Sequence, residues 1–587
     1  LRYGLVSLWN IFREEEDRFV ADNRQYDVYR GFYQWTGIDA ERMQKNVRLL
    51  GKDIHDEPVK RQPCFSAGEQ DLRTQIEQHE VISFLLEDTL LMYLVLNGQD
   101  AEFISYARGI RKEEMIIARK KMAELYQEAL RWQKEIYLFT EMDIPRKQLE
   151  EVLEKHGITG YKNIYIAREH NSSAKRGLLK LIEEHVDGRK WLHVGTYGED
   201  DIKADVFLIQ SAYDMLKCSA YSKIIPELRT VNDRLLAGLF VSRIFNDPFI
   251  LYQTDGRGKA KGSEELVYLF IAPIVSAFIV WLAGEIEKED FEDVLFASRD
   301  GFFIQKMYRK YRSEMHKDIP EGTYFLTSRR AASNAGMLAE EDIRRIFSLP
   351  YEMNPREVLK DKFYLKDQEI PDDKENLTLM EYGIKYQKLI CEKSAAQRAG
   401  YLAYIEKLGL QQGKTYGFFD LATSGTTQYY LNNFVPFHLK GFSLLWYDVG
   451  DEGKRTLDAK GMYNYKEGER KTEFEEYFRW NYAFLEPILT APEPSVYSFD
   501  EEGVPQFGAE ERTEEEIHFY KEAQDTIESF FDIYLKLHIP GIDLSRDVAG
   551  LLYMFKDSAY TDLSWDMADH YVSRDDLGAG IFRINTP

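Results

Sequence analysis

The sequence Asp293-Val-Leu-Phe-Ala-Ser-Arg-Asp-Gly-Phe-Phe-Ile-Gln-Lys-Met-Tyr308 reads as a strand, a polar turn and a helix in direct succession. The apolar run is Val294–Ala297, the polar turn is Ser298-Arg299-Asp300-Gly301, and the following residues have helical apolar spacing. Such a glycine-containing turn forms ligand sites in α/β proteins, because the first amides of the helix lack partners and favour an anion. Arg299 adds a permanent cation and Asp300 a carboxylate at the same place.

Two further strand ends in this half of the chain carry polar residues. Thr323–Thr327 is a predicted strand followed by Ser328-Arg329-Arg330, and Tyr416–Phe419 is another, followed by Asp420-Leu-Ala-Thr-Ser-Gly-Thr-Thr427. In a parallel sheet these ends would meet at one edge, so we predict a shared anion site there. Taken singly, the turns are also typical of solvated turns and helix caps.

The residues predicted to form this site fall into two groups. The phosphate-binding group is Ser298, Arg299, Gly301, Arg329, Arg330, Ser424, Gly425, Thr426 and Thr427. The candidate catalytic group is Asp300 and Asp420, which would orient sugar hydroxyls, hold a metal or act as a base.

The composition of the 587 residues favours packed cores and argues against several partners. Apolar residues make up 44% and aromatic residues 14% of the chain, so disorder is not expected. The net charge of −24 argues against nucleic acid or an anionic membrane surface as the main partner. The three cysteines, Cys64, Cys218 and Cys391, are widely spaced, which predicts no disulfide framework or zinc site and favours the cytoplasm.

One uncharged run, Leu266–Gly284, nearly reaches the length needed to span a bilayer. Acidic residues flank it on both sides, and no basic cluster marks a cytoplasmic end. We therefore predict a buried helix bent at Pro273, with a membrane-associated helix as the alternative.

The N-terminal half contains a second alternating pattern, at residues 78–225. Such alternation predicts a mostly parallel sheet with helices on both faces. The expected strands are Val81–Leu86, Ile136–Phe139, Asn163–Ile166 and Trp191–Val194, and the expected helical stretches are Asp100–Trp132, Arg146–His156 and Ala174–His185.

Four segments of this half resemble, in order and spacing, the motifs of the haloacid dehalogenase-like (HAD) hydrolases. Ile82-Ser-Phe-Leu-Leu-Glu-Asp-Thr-Leu-Leu91 resembles the first motif, and Phe139-Thr140 the second, whose hydroxyl holds the phosphoryl group. Lys175 stands where the third-motif lysine belongs, and His193-Val-Gly-Thr-Tyr-Gly-Glu-Asp-Asp201 resembles the fourth motif. The resemblance implies phosphate binding by Thr140 and Lys175, and a small cap near residues 94–133.

The chain departs from this family's pattern at the catalytic positions. Leu85 replaces the nucleophilic Asp, so no aspartyl-phosphate intermediate can form. Glu87 stands at the acid/base position, and Thr196 replaces one metal-binding acid, which leaves Asp200 and Asp201. Magnesium prefers carboxylate oxygens, so Mg²⁺ is the cofactor that the resemblance implies, although two of the expected carboxylates are missing. We predict a scaffold without phosphatase activity.

The second half resembles the C-terminal part of large bacterial HAD-like proteins of surface-polysaccharide loci. The resemblance rests on Ser298-Arg-Asp-Gly301, Ser328-Arg-Arg-Ala331 and Asp420-x-x-x-Ser-Gly-Thr-x-Gln428, in that order, with Leu485-Glu-Pro-Ile-Leu-Thr-Ala-Pro492 and then Pro494-Ser495 after them. The resemblance implies that the protein acts together with glycosyltransferases. The Asp420–Thr427 run is also similar to a phosphoribosyltransferase loop.

The fold class predicted from these features is α/β. We expect a HAD-like Rossmann-type parallel sheet with a small helical cap, a second α/β domain, and helical segments at both ends. The boundaries are 1–77 (helical), 78–225 (HAD-like), 226–292 (helical bridge), 293–500 (second α/β domain) and 501–587 (helical, with a capping box at Thr513 and Glu516).

The predicted function is binding of a phosphorylated sugar or nucleotide by the second α/β domain, in bacterial cell-surface polysaccharide biosynthesis. Three alternatives stay open. The protein could be a glycosyl- or phosphoribosyl-type transferase, a Mg²⁺-dependent phosphoester hydrolase, or a non-catalytic scaffold for a glycosyltransferase.

Overall fold

The computed structural model describes most of the chain from residue 67 onward. The described residues are 67–170, 175–196, 202–254, 258–347, 354–363, 365–370, 377–448, 457–466, 473–510, 512–557, 572–574 and 581–583. Two compact units are present: Leu1–Pro273 with Phe530–Thr561, and Ile274–Ser529 with Asp562–Pro587. They are called the first and the second unit.

The first unit is built around a five-stranded parallel sheet with helices on its two faces. Its strands are β1 Val81–Leu85, β2 Leu91–Tyr93, β3 Ile116–Ala118, β4 Glu135–Thr140, β5 Asn163–Ile166, β6 Trp191–Gly195 and β7 Asp205–Leu208. Its helices are α1 Glu69–Gln78, α2 Gly98–Arg108, α3 Lys120–Arg131, α4 Arg146–Lys155, α5 Lys175–Val186, α6 Ala212–Cys218, α7 Val231–Ile244, α8 Ile250–Gln253 and α9 Ser263–Leu266.

The sheet of the first unit has the strand order β5-β4-β1-β6-β7, with every neighbouring pair parallel. When only these five strands are numbered in chain order, the order across the sheet is 3-2-1-4-5. This order is found in doubly wound α/β sheets. In β1, Ile82 and Phe84 belong to the core on one face, whereas Val81 and Leu85 belong to the core on the other. Alternate side chains of a strand point to opposite faces, so both faces are buried. The α/β class predicted from the sequence is confirmed.

The insertion after β1 differs from the predicted helical stretch Asp100–Trp132. Helices α2 and α3 lie within it, but β3 interrupts them and pairs antiparallel with β2. Three residues are too few to show a periodicity inside a charged helical pattern, which is why the strand was missed.

Arg119, directly after β3, is a buried cation that joins three backbone segments of the first unit through four carbonyl groups. The side chain is 0% exposed. Its guanidinium donates to the carbonyl oxygens of Asp88 (2.6 Å), Gln210 (2.7 Å), Phe245 (3.0 Å) and Asn246 (3.2 Å). Burial lowers the pKa of Arg119 to about 10. Buried carbonyl groups need donors, so this side chain holds the loops after β1 and β7 against the end of α7.

The second unit contains the opening stretch and a second parallel sheet. Its strands are β8 Asp293–Ala297, β9 Thr323–Phe325, β10 Thr415–Phe419, β11 Ala422–Thr423, β12 His438–Asp448, β13 Ala459–Lys466, β14 Val496–Phe499 and β15 Pro505–Phe507. Its helices are α10 Ala272–Ile286 (which begins in the first unit), α11 Asp300–Glu314, α12 Arg329–Gly336, α13 Glu340–Phe347, α14 Pro355–Phe363, α15 Leu379–Lys385, α16 Gln387–Lys407, α17 Thr426–Asn432, α18 Glu473–Asn481, α19 Glu486–Leu489 and α20 Glu514–Leu537 (which ends in the first unit). Helix α21 Arg546–Met554 belongs to the first unit, and β16 Val572–Arg574 pairs with β17 Ile581–Arg583.

The main sheet of the second unit runs β9-β8-β10-β12-β13, with all pairs parallel. When these five strands are numbered in chain order, with the short β11 left out, the order across the sheet is 2-1-3-4-5. Because β8 connects to β9 on one side and lies beside β10 on the other, the order reverses at β8. The short β11 continues the line of β10 along β12. Ligands of open α/β sheets bind outside the carboxyl ends of the strands at such a reversal.

The apolar helical stretch Ser263–Ile286 is long and apolar enough to cross a membrane, and 78% of its most apolar window is buried inside the protein. Its middle, Val267–Ile271, is a π-turn in which the Ala272 N–H donates to the carbonyl oxygen of Val267. Pro273 follows at once and has no N–H to donate, so the helix widens there. The burial agrees with the predicted buried helix.

Two other predictions from the sequence, the capping box and the absence of a disulfide framework, can be compared with the structure. The Thr513–Glu516 capping box is present at the start of α20, with reciprocal hydrogen bonds of 2.6 and 3.1 Å. Cys391 is a free thiol, whereas Cys218 is disulfide-bonded, although the cysteine spacing predicted no disulfide framework.

Candidate functional site

The three polar turns predicted from the sequence follow β8, β9 and β10, which are adjacent parallel strands of the second unit. Their carboxyl ends therefore lie at one edge of the sheet, where the strand order reverses. The turns Ser298–Gly301, Ser328–Arg330 and Asp420–Thr427 are brought together as the sequence analysis expected. We call this edge the switch-point site.

Ser298 connects the ends of β8 and β9. Its hydroxyl donates to the carbonyl oxygen of Thr327 and accepts the Thr327 N–H at 3.1 Å. Its own N–H donates to Phe325 at 2.9 Å. These bonds fix the spacing of the two turns, so Ser298 is placed to support the site and not only to contact a phosphate.

Arg299 has an uncommon backbone conformation, with φ +70° and ψ −82°, directly between β8 and α11. Its N–H donates to the Tyr324 hydroxyl at 2.8 Å and its guanidinium donates to the Ser495 hydroxyl at 2.6 Å. Two residues later, a Cβ on Gly301 would lie 2.8 Å from the carbonyl carbon of Phe296, so only glycine fits. Such strained residues persist where the surrounding structure over-determines them, and they concentrate at functional sites.

The strain at Arg299 predicts an inverted order of two substitutions. Arg299→Gly should leave the second unit more stable than Arg299→Ala by about 1–2 kcal/mol, because glycine alone tolerates this φ without cost. At Arg309, within α11, the order should reverse, since alanine is the better helix former by about 1 kcal/mol. Denaturant unfolding of the four variants measures both differences. Equal stability of the two Arg299 variants would contradict the strain.

Asp420, directly after β10, supplies one of the two carboxylates of this edge. Burial raises its pKa above the ordinary aspartate value, while the charge of Arg329 and a hydrogen bond from Thr423 oppose that shift. Arg329 therefore acts on Asp420 from the neighbouring turn, and the two predicted residues belong to one electrostatic group. A carboxyl with a raised pKa is suited to accepting a proton near neutral pH.

The Ser424–Thr427 turn differs from the predicted anion cradle. The Gly425 N–H already donates to the Thr423 hydroxyl at 2.9 Å. Thr426 and Thr427 are 9% and 7% exposed, on a helix of only seven residues. The turn is therefore arranged around Asp420 through Thr423, and its hydroxyl groups are mostly packed into the protein. The Gly425 N–H therefore has a partner within the turn, and the phosphate cradle through backbone amides and hydroxyl groups stays a prediction.

Four residues of the site were not predicted as site residues from the sequence. Tyr324, inside β9, donates from its hydroxyl to a Glu493 carboxylate oxygen at 2.6 Å. Ser495 accepts from Arg299, and the Tyr497 ring lies 3.8 Å from the guanidinium carbon of Arg330. Burial, followed by the bond to Glu493, raises the pKa of Tyr324. Charge on Asp300 also reaches this phenol, which places Asp300 at the same edge.

A narrow cleft lies beside Asp420, lined in part by Thr423, Gln428, Ser443 and Trp446. It admits no water-sized sphere. The Ser443 hydroxyl is buried there without a hydrogen-bond partner. A ligand group reaching this hydroxyl would require the cleft to open.

The HAD-like positions of the first unit contain one unusual carboxyl. Glu87 follows β1, and its Oε1 accepts the Thr140 hydroxyl at 2.8 Å and the Glu141 N–H. Its Oε2 is buried with no hydrogen-bond partner. Burial raises the pKa of Glu87 from 4.5 to about 7, against the lowering effect of these hydrogen bonds. The structure thus joins Glu87 and Thr140, two predicted site residues.

Of the other motif positions of the first unit, Leu85 and His193 lie in the core. Leu85 is 2% exposed and packs in the core. His193 is buried, and its Nδ1 lies 3.2 Å from the Ser83 hydroxyl, as expected for a core histidine. Lys175 is the first residue of α5, and its side chain lies outside the described residues, as do Asp200 and Asp201. Within the described ranges, no group of three or more His, Cys, Asp or Glu could hold a metal ion.

Comparison with known proteins does not show a family for this chain. No family model matches the sequence, and no curated protein matches it significantly. The resemblance to HAD-like proteins stays a prediction that rests on the quoted motifs.

The switch-point site combines cations and carboxylates in a way that restricts its ligands. Arg299, Arg329 and Arg330 place three guanidinium groups at this edge, and the guanidinium is the side-chain group that pairs best with phosphate oxygens. Asp300 and Asp420 supply acceptors for hydroxyl groups. The set suits a small molecule with an anionic end and a hydroxyl-bearing end.

Proposed function

We propose that the second unit binds a phosphorylated sugar or a nucleotide, and that the chain acts in bacterial cell-surface polysaccharide biosynthesis. The observation that carries the binding proposal is the placement of Arg299, Arg329 and Asp420 at the carboxyl edge where the strand order reverses. Open α/β sheets bind ligands at this position. The biological setting rests on the motif resemblance of the second half.

The chemistry of the first unit supports assigning the ligand to the second. A leucine at the nucleophile position cannot attack phosphorus, and its side chain is buried in the core. We propose that the first unit is a scaffold without phosphatase activity, although Glu87 and Thr140 keep a hydrogen-bonded pair.

The binding proposal predicts a selective loss of affinity in Arg329→Gln. A thermal-shift screen with sugar nucleotides, sugar phosphates and phosphoribosyl pyrophosphate identifies the class, and isothermal titration then measures the dissociation constant. Arg329→Gln should weaken binding by roughly 10- to 100-fold, because a charge-assisted bond contributes about 1.5–3 kcal/mol. Arg344→Gln is the matched control, since Arg344 is an exposed residue of α13 that pairs with Glu340.

Two outcomes of this experiment would count against the proposal. Unchanged affinity in Arg329→Gln would place the ligand elsewhere. A uniformly negative screen would favour the scaffold alternative, in which the chain co-purifies with a glycosyltransferase and binds no small ligand.

A transferase is the second candidate, and the raised pKa of Asp420 favours it. A partly buried carboxyl beside Arg329 is arranged to accept a proton from an attacking hydroxyl group. Asp420→Asn should then abolish turnover of an activated sugar or phosphoribosyl donor while leaving ligand binding in place. Retained turnover in Asp420→Asn would exclude this role.

A further inference from the structure

The narrow cleft beside Asp420 lies at the ends of β10 and β12, and we call it the Ser443 cleft. Phe419 and Phe442 are opposite each other on these strands, and both contact aromatic side chains of α10. The Asp420 N–H donates to the carbonyl oxygen of Phe442 at 3.2 Å, so the parallel pairing continues for one more residue. Because successive side chains of a strand point to opposite faces, Asp420 and Ser443 occupy neighbouring positions on the face away from α10, where both line the cleft.

One side of the cleft is fixed by Gln428, a residue of α17 that is 2% exposed. Its Nε2 donates to the carbonyl oxygens of Leu439 and Asp458, both at 2.9 Å. A Cβ on Gly441 would lie 2.4 Å from Gln428 Oε1, so a glycine at this position of β12 lets the amide lie against the strand. This side of the cleft is therefore already formed and does not depend on a ligand.

Trp446 is the largest side chain that lines the cleft. Its indole packs against Gly425, where a Cβ would lie 2.7 Å from the ring. The residue is half-buried, whereas Gln428 and Ser443 are buried. Side chains that reach the surface change rotamer more readily than those in the core, so Trp446 is the part of the lining that can move to open the cleft.

The hydroxyl of Ser443 is the group in this cleft that points to a ligand. The residue is 1% exposed, and within the part of the chain that the structure describes its hydroxyl has no hydrogen-bond partner. A buried hydroxyl without a partner costs free energy, and a ligand that supplies the partner removes that cost. Beside it, the Asp420 carboxylate accepts from Thr423, and a carboxylate can accept up to about four hydrogen bonds. The cleft therefore offers a hydroxyl and an acceptor at adjacent positions.

We propose that the Ser443 cleft binds the sugar ring of the ligand, with Asp420 accepting one ring hydroxyl and Ser443 pairing with a second. The inference rests on the proposed function and names the part of the ligand that the cleft recognises. A sugar ring carries hydroxyl groups on neighbouring carbons and an apolar C–H face, which match the two polar side chains and the indole of Trp446. The closed cleft is narrow, and a hydroxyl projecting from a ring carbon enters a smaller opening than the edge of a planar nucleobase.

The test is titration of the full chain with glucose, galactose and mannose 1-phosphates, with uridine 5′-monophosphate and with inorganic phosphate. At least one hexose 1-phosphate should bind more tightly than inorganic phosphate. Ser443→Ala should weaken hexose 1-phosphate binding by roughly 2- to 12-fold, the equivalent of one hydrogen bond, and leave the affinity for inorganic phosphate unchanged. The hexose 1-phosphate should also change the tryptophan emission of the chain, and Trp446→Phe should remove that change.

The stability of Ser443→Ala separates a ligand-binding hydroxyl from a structural one. The substitution removes an unpaired buried hydroxyl, so the thermal midpoint without ligand should rise by about 1–4 °C. Ser394→Ala is the matched control, because Ser394 in α16 is 3% exposed and its hydroxyl also has no partner among the described residues. The control should show a similar rise in midpoint with unchanged affinity for every probe. A lower midpoint in Ser443→Ala would show that the protein itself uses the hydroxyl and would overturn the inference.

A sugar subsite at Ser443 is excluded by any of several binding results. Hexose 1-phosphate affinity in Ser443→Ala equal to that of the unsubstituted chain overturns the inference and leaves the proposed function standing, as does hexose 1-phosphate binding no tighter than that of inorganic phosphate. Uridine 5′-monophosphate that binds more tightly than every hexose 1-phosphate and is weakened by Ser443→Ala assigns the cleft to a nucleoside instead. Failure of the unsubstituted chain to bind any hexose 1-phosphate or uridine 5′-monophosphate overturns both proposals.

Discussion

Replacing Arg119 by methionine lowers the stability of the first unit by about 4 kcal/mol. The substitution leaves four carbonyl groups without the donor that now satisfies them, and each unpaired buried group costs roughly 1–3 kcal/mol before relaxation. Methionine fills a similar volume, so the loss comes mainly from the missing hydrogen bonds. Denaturant dependence of hydrogen exchange in peptides from β1, β4 and β6 measures the first unit by itself.

Two further variants separate the hydrogen bonds from the charge. Arg119→Lys keeps the cation but has a single amine, so it should recover only part of the loss. Lys120→Met, at the exposed neighbouring position, should change stability by less than about 0.5 kcal/mol. If Arg119→Met and Lys120→Met were equally stable, the buried guanidinium would not be holding these loops.

The second large effect is a change in the pH dependence of stability in Glu87→Gln. The folded pKa of Glu87 is about 7, above the ordinary 4.5, so the folded state binds the proton more tightly than the unfolded state. The stabilisation is fully present below pH 4.5 and is lost as the pH rises through 7. At pH 8 the ionised side chain therefore costs up to about 3 kcal/mol, at 1.36 kcal/mol per pKa unit.

Glutamine resembles the protonated carboxyl and can still accept from Thr140 and the Glu141 N–H. We expect Glu87→Gln to match the unsubstituted chain near pH 4.5 and to be more stable by about 2–3 kcal/mol at pH 8. Glu151→Gln, at an exposed position of α4, is the matched control. Parallel stability curves for Glu87→Gln and the unsubstituted chain between pH 4.5 and 8 would show that Glu87 does not carry the raised pKa.

The same variant tests the proposal that the first unit has no phosphatase activity. The unsubstituted chain should not release phosphate from a general phosphoester with Mg²⁺, whereas Leu85→Asp should introduce some release. Hydrolysis by the unsubstituted chain that disappears in Glu87→Gln would contradict the scaffold interpretation.

The sequence predicted the strands that are buried on both faces, because their apolar runs end abruptly at polar residues. Asn163–Ile166 has the predicted bounds, and β8 and β10 each extend the predicted strand by one residue. The edge strand Asp205–Leu208 was missed because it is largely exposed and shows no apolar run. The long β13, with only partly alternating burial, was missed for a related reason.

The site was predictable only where its residues follow strands. Arg299, Arg329 and Asp420 were found because parallel strands place their carboxyl ends together. Ser495 and Tyr497 were not, because no local pattern links them to arginines more than 160 positions earlier in the chain. The strain at Arg299 is likewise invisible in sequence, since nothing but the tertiary structure forces a positive φ on an arginine.

The strand order of the second unit also determines when the switch-point site can form during synthesis of the chain. Strand β8 lies beside β10, so the switch-point site needs two pieces of chain that are about 120 residues apart. At roughly 5–20 residues per second, a ribosome delivers Asp420 about 6–24 s after Arg299. During that interval β8 and β9 can already pair, while the seam that will receive β10 is exposed. A chaperone that covers the exposed edge of β8 would therefore act before the switch-point site has formed. Stalling translation between α12 and β10 should give a chain in which that site is absent.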